Sequence, residues 1–117
     1  MRALVVDDSR AMRAIVAGLL REAGFETAEA ADGPSALGAE PPELLVLDWH
    51  LPGQTGLEIV RALRARPEWN ATRVLMVTTE VDPARVSEAL AAGAQEFLMK
   101  PFGAEHLRAK LALLGWR

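Results

Sequence analysis

The chain has 117 residues, half of them apolar and a quarter charged, which suits one compact domain with a single core and argues against disorder. Cysteine is absent, which excludes disulfides, thiolate nucleophiles and cysteine-ligated zinc, and a net charge of −3 with scattered arginines argues against a nucleic-acid surface. No apolar stretch is long enough to span a bilayer and no basic-then-apolar leader precedes the first strand-like run, so the sequence reads as that of a soluble, cytoplasmic protein.

Residues 3–6 (Ala-Leu-Val-Val) form a short apolar run that stops at Asp7 and Asp8, the pattern of a strand buried on both faces. From Arg10 the period changes. Met12, Ile15, Val16, Leu19, Leu20 and Ala23 follow the spacing of a helix with one buried stripe, with Asp8 or Ser9 as N-cap and Gly24 just past the end. Residues 25–30 alternate as an edge strand does, and Asp32-Gly33-Pro34 opens a helical segment over 35–39 that Glu40-Pro41-Pro42 breaks after a turn or two.

The run over 44–47 is wholly apolar and ends in Asp48, after which Pro52-Gly53 turns the chain and Thr55 and Glu58 form a capping box before Leu57, Ile59, Val60 and Leu63. Residues 74–77 repeat the pattern, with polar Thr78, Thr79 and Glu80 at the end. Asp82 caps a fourth helix with Pro83 at its first position, and Val86, Ala89 and Leu90 carry its inward face to Gly93. A last strand over 97–99 ends at Lys100-Pro101. The fifth helix, over 104–114, opens on Gly103, a weaker cap than Ser, Thr or Asp, and places Leu107, Leu111 and Leu114 on one stripe.

Five strands alternating with five helices predict an α/β fold: a doubly wound, five-stranded parallel sheet with helices on both faces. In such a sheet every strand's carboxyl end lies along one edge, so Asp7, Asp8, Asp48, Thr78 and Lys100 surround a single crevice. Three carboxylates and one ammonium sum to −2, which is unfavourable unless a cation or protons offset it. Hard oxygen donors without histidine or cysteine point to Mg²⁺, which keeps several waters and reaches substrate phosphate oxygens.

Blander readings stand beside these. Asp8 can serve as a helix cap alone, and Trp49 is either an exposed loop aromatic or a docking residue. Trp69 and Trp116 read as surface packing residues, and His106 as solvated and inert.

Val5-Val6-Asp7-Asp8, Leu47-Asp48 with Leu51-Pro52 and Gly56, Val77-Thr78, and Lys100-Pro101-Phe102 preceded by Ala92-Gly93-Ala94 occur in one order and spacing. Together they make the chain resemble, over essentially 1–117, the receiver domains of two-component response regulators, the single-domain chemotaxis regulators in particular. The resemblance implies a flavodoxin-like sheet of order 2-1-3-4-5 and a signalling domain that catalyses only its own phosphorylation and dephosphorylation. By the same implication Asp48 accepts a phosphoryl group from a phosphohistidine, and Mg²⁺ is held by Asp7, Asp8, Asp48 and the main-chain carbonyl of His50. Thr78 and Lys100 contact the phosphoryl oxygens, a cis Lys100–Pro101 bond aims the lysine, Thr78 and Phe97 form the switch, and His50 and Thr79 tune phosphoryl lifetime. The implied partners are a sensor histidine kinase or phosphotransfer protein and a downstream protein target, with no nucleic acid or membrane; a phosphorylation-dependent homodimer is left open. The second helix is shorter than that family usually shows.

Three rivals share parts of the pattern. An FMN-binding flavodoxin-like domain must cradle a phosphate in its first loop, where Asp7 and Asp8 repel one in the absence of a metal. An aspartate-nucleophile phosphatase wants a second Asp two residues after the first, where this chain has His50. A degenerate, non-phosphorylated receiver is disfavoured because every chemistry position is filled.

Overall fold

The computed structural model describes residues 1–79 and 82–116. Five strands, β1 (Arg2–Val6), β2 (Glu26–Ala30), β3 (Leu44–Asp48), β4 (Arg73–Thr78) and β5 (Glu96–Met99), alternate with five helices. These are α1 (Arg10–Glu22), α2 (Gly33–Leu37), α3 (Gly56–Arg64), α4 (Pro83–Ala92) and α5 (Ala104–Leu113). The strands form one parallel sheet in the order β2-β1-β3-β4-β5, as expected.

Because successive strand side chains point to opposite faces, the apolar runs of β1, β3 and β4 fill two cores at once. Leu4, Val6, Leu45, Leu47, Val74 and Met76 pack with α2, α3 and α4 on one face. Ala3, Val5, Leu44, Val46, Leu75 and Val77 pack with α1 and α5 on the other. All five residues of β3 are buried, so its terminal Asp48 is carried into the middle of the carboxyl edge with no freedom to drift.

The helix boundaries follow their capping chemistry. Ser9 caps α1 by accepting from Met12 N–H, Thr55 and Glu58 close the capping box on α3, and Asp82 with Pro83 opens α4. Gly24 and Gly93 take the left-handed φ values, 99° and 121°, that end α1 and α4. α2 is five residues long and begins two residues earlier than the sequence predicts, because Asp32 caps it through Ser35 N–H.

Five side chains depart from the sequence reading, one of them Ala23, expected on the buried stripe of α1 but exposed at its C-cap. Ile15, expected on the buried stripe of α1, is 58% exposed, and Leu90, expected inward on α4, is 44% exposed. Each lies at the margin of its helix's apolar arc, where periodicity alone does not fix the side. Trp69 is not a surface residue: a 3₁₀ turn at Pro67–Trp69, invisible to a helical-period search, folds its ring into the α3 face of the core at 1% exposure. Trp49 is likewise buried rather than an exposed loop aromatic. Trp116, half-buried, packs edge-to-face on Phe25, and His106 is exposed as expected. Glu80, read with Thr78 and Thr79 as a polar strand end, lies outside the described residues.

Candidate functional site

Parallel register brings the strand ends together. Val6 pairs with Leu47, Asp48 with Val77, and Thr78 with Met99, so Asp7, Asp48, Thr78 and Lys100 follow one another along the carboxyl edge. Asp7, Asp48 and Thr78 are buried, while Asp8 is exposed. Carboxylate oxygens of Asp7, Asp8 and Asp48 all lie within 4.8 Å of one another.

Each member is held by its own local structure. Asp7 Oδ1 accepts from Ser9 N–H at 2.8 Å, so the residue that caps α1 also orients the first carboxylate. Its main-chain carbonyl accepts from Arg13 Nη1 at 2.7 Å. After Asp48 the chain is pinned to β4 by Trp49 N–H, which donates to Val77 O at 2.8 Å, and turned back by Gly56 N–H, which donates to Trp49 O at 2.7 Å. Gly56 is needed there: a Cβ would stand 2.8 Å from Asp48 O and 2.7 Å from the Met76 methyl. The loop between them closes through an antiparallel bridge from His50 to Thr55. Lys100 N–H donates to Thr78 O at 2.7 Å, and the Lys100–Pro101 bond is cis.

The Lys100 ammonium reaches in between two carboxylates, 2.9 Å from Asp7 Oδ2 and 3.4 Å from Asp48 Oδ2. Burial pushes the Asp48 carboxyl above its ordinary value; Lys100 opposes that shift, neighbouring Asp7 adds to it, and the main-chain N–H of His50 opposes it again. For Lys100, burial acts to lower the pKa, but the hydrogen bond to Asp7 and the charges of Asp48 and Asp7 outweigh it and leave the ammonium raised. Both values are raised, which favours the charged lysine but the neutral carboxyl: Lys100 faces two anions, whereas Asp48 is desolvated and faces one cation and one anion. The lysine does not fully neutralise the acid cluster.

That leftover negative charge, carried by oxygen donors with no histidine or cysteine among the three clustered side chains, fits a hard divalent ion such as Mg²⁺. Of the other residues singled out in the sequence, His50 and Thr79 are exposed near this edge and Phe97 is half-buried on β5. Three contacts had no sequence signal. Arg13 from the second turn of α1 buttresses Asp7, Arg85 of α4 stacks over Trp49 at 5.1 Å, and Lys110 of α5 lies over the Phe97 ring at 4.6 Å. Isolated cations on exposed helix faces look alike in a sequence whatever they touch.

A doubly wound parallel sheet whose carboxyl edge gathers three carboxylates and a lysine around the end of its central strand has the charge pattern to take a divalent cation together with an anionic group. The sequence pattern described as the response regulator receiver domain matches residues 3–112, and the chain belongs to that family. It is 43% identical over 115 residues to the chemotaxis protein CheY of Pseudomonas aeruginosa, covering 95% of this chain and 93% of that one. Chemotaxis protein CheY-3 of Vibrio cholerae is 40% identical over 115 residues, with 95% and 88% covered. Among solved structures, the chemotaxis response regulator CheY4 of Vibrio cholerae superposes with a TM-score of 0.88 at 38% identity over 97% of both chains. The protein is therefore a two-component response regulator. Among the described residues no helix is long and apolar enough to cross a membrane.

Proposed function

We propose that Asp48 is the phospho-acceptor and that residues 1–117 act as one receiver unit. The observation that carries this reading is the placement of the buried Asp48 carboxylate within 4.8 Å of the Asp7 and Asp8 carboxylates and 3.4 Å from the Lys100 ammonium. An Asp48 oxygen attacks the phosphorus of a phosphohistidine, the P–N bond breaks, and the electron pair returns to the departing imidazole. Hydrolysis of the resulting acyl phosphate by water resets the domain, so its catalysis is confined to its own phosphorylation and dephosphorylation.

Asp7, Asp8, Asp48 and the main-chain carbonyl of His50 hold Mg²⁺, which when bound offsets the charge of the phosphoryl oxygens. Lys100 leaves its shared position between Asp7 and Asp48 to meet one phosphoryl oxygen, and the Thr78 hydroxyl donates to another. Phosphoryl transfer asks chiefly for in-line positioning and charge neutralisation, and these residues supply both.

The new group brings a charge of about −1.5 to −2 and three strong acceptors. Thr78 is drawn toward it, Phe97 turns into the space vacated, and the surface of α4, β5 and α5 changes as a two-state element. His50 and Thr79, exposed beside the site, set how long the acyl phosphate survives. The partners are a sensor histidine kinase or phosphotransfer protein upstream and a protein target downstream, in the cytoplasm. A net charge of −3 gives this domain no nucleic-acid face, and a phosphorylation-dependent homodimer is one form the output can take.

Acetyl phosphate and Mg²⁺, followed by intact mass spectrometry, test the assignment. Wild type gains one phosphoryl group and Asp48→Asn gains none. Turnover of many phosphate esters without an adduct would instead support a phosphatase.

A further inference from the structure

Phe97 lies half-buried on β5 with the ammonium of Lys110, from α5, over its ring at 4.6 Å. That ammonium is not a free surface charge. Glu96 Oε1 accepts from Lys110 Nζ at 2.9 Å and from the Phe97 main-chain N–H at 3.1 Å. One carboxylate oxygen thus fixes both the backbone that carries the ring and the cation that sits on it.

The ring also lines a cavity of about 10 Å³ shared with Trp49, Met76 and Thr78. That volume is about the size of one water and far too small for a phenyl group, so the ring cannot turn inward until its neighbours move. A phenylalanine has no hydroxyl, so no hydrogen bond favours either position of its side chain. The cation above it is then the polar tie that acts on the ring itself.

We propose that Lys110, pinned by Glu96, is a positioning residue that holds Phe97 in its resting place, so that the switch side chain carries a cationic brake. The inference rests on the reading of Phe97 as the switch residue. Inward rotation carries the ring away from the ammonium, and the contact is lost in the active state alone. Removing it therefore biases the equilibrium toward the active state without touching the phospho-acceptor chemistry, because Lys110 is on α5 and contacts none of the clustered carboxylates.

The test uses the full chain with 4-fluorophenylalanine at its three phenylalanines, the Phe97 resonance being identified by its loss in Phe97→Leu. Fluorine spectra are followed through a beryllofluoride titration in Mg²⁺, where the bound beryllofluoride signal reports occupancy independently. Lys110→Met keeps the aliphatic stem and removes the charge. Its resting Phe97 signal is expected to move part of the way toward the beryllofluoride-bound position, and the titration midpoint to fall about two- to five-fold. Lys110→Arg restores both to wild-type values, and Glu96→Gln, which loosens the ammonium, gives a smaller shift in the same direction. An unchanged resting signal and midpoint in Lys110→Met, with the wild-type Phe97 signal still responding to beryllofluoride, overturns the brake and leaves the switch standing. A wild-type Phe97 signal that does not move while beryllofluoride binds overturns the switch reading, and the brake with it.

Discussion

The ammonium of Lys100 donates to Asp7 Oδ2 at 2.9 Å. Its distance to Asp48 is longer, 3.4 Å, so the lysine is attached to Asp7 and only leans on Asp48. On the proposed reading, a cation held this way would be free to meet a phosphoryl oxygen once Mg²⁺ supplied Asp7 and Asp48 with a counter-charge. Lys100→Met is expected to slow phosphorylation by acetyl phosphate roughly 100-fold, the order of effect seen when one preorganised charge is removed from a developing anion. The same change leaves two buried carboxylates facing each other and lowers stability by about 1–3 kcal/mol in the absence of metal. Time courses by intact mass and urea unfolding measure the two effects separately; a wild-type phosphorylation rate in the variant would exclude the role given to Lys100.

Asp48 makes the apo protein less stable as pH rises. Its folded carboxyl lies above the ordinary 3.8, chiefly through burial, so the folded chain holds that proton more tightly than the unfolded one. Folding stability therefore falls as pH climbs from the ordinary carboxylate value through the raised one, and stays lower above it. Lys100 runs the other way at the alkaline end: its contribution is complete below its ordinary 10.5 and is lost as pH rises through the raised folded value. Asp48→Asn is thus expected to stabilise the metal-free protein near neutral pH and to have little effect in acid below the carboxylate range. Mg²⁺ should close the gap by stabilising wild type, by about 2.7 kcal/mol at a hundred times its dissociation constant, and should do much less for Asp48→Asn. Urea midpoints with chelator and with Mg²⁺, at both pH values, decide it.

Arg64, the last residue of α3, ties four segments together. Its guanidinium donates to the carbonyls of Trp69 and Thr72 at 2.7 Å each, to Gly93 O at 3.0 Å and to Gln95 Oε1 at 3.2 Å. Gln95 Oε1 in turn accepts from the main-chain N–H of Val74 at 2.6 Å, so the network reaches the start of β4. Arg64→Met leaves several part-buried carbonyls without a donor and is expected to cost about 2–4 kcal/mol. Arg64→Lys recovers only part of this, because an ammonium cannot reproduce the planar fork. Since the network sits at the end of the sheet away from Asp48, both variants should still take up one phosphoryl group under conditions where they remain folded.

The contrast between Asp48 and Arg64 shows what a sequence can carry. Asp48 was legible because it ends an unbroken apolar run, and a parallel sheet converts that one-dimensional fact into a position shared with Asp7, Asp8 and Lys100. The capping box at Thr55 and Glu58 and the proline after Asp82 were equally legible, since caps act within four residues. Arg64, Arg13, Arg85 and Lys110 were not. Each is a long cation on a helix, and what it reaches depends on helix orientation and side-chain extension rather than on its neighbours in the chain. Trp69 was missed for a related reason: a single 3₁₀ turn leaves no periodic trace, yet it decides whether a large ring faces solvent or core.

Thr79, one residue past the end of β4, is exposed beside the edge that carries Asp48, and His50, two residues past Asp48, is exposed on the adjoining loop. A small donor or an attacking water must approach the acceptor from solvent, and a β-branched side chain at Thr79 is stiff at χ1 and narrows that approach. Thr79→Ala removes the methyl and the hydroxyl while leaving the carboxylates and Lys100 untouched. Both phosphorylation by acetyl phosphate and loss of the phosphoryl group are therefore expected to quicken, each by several-fold, with the Mg²⁺ requirement unchanged. Following adduct formation and decay by intact mass in wild type and variant checks both arms together. Acceleration of only one would point to a contact with one reaction's own transition state rather than a shared steric gate, and acceleration of neither would remove Thr79 from the set of lifetime-controlling residues.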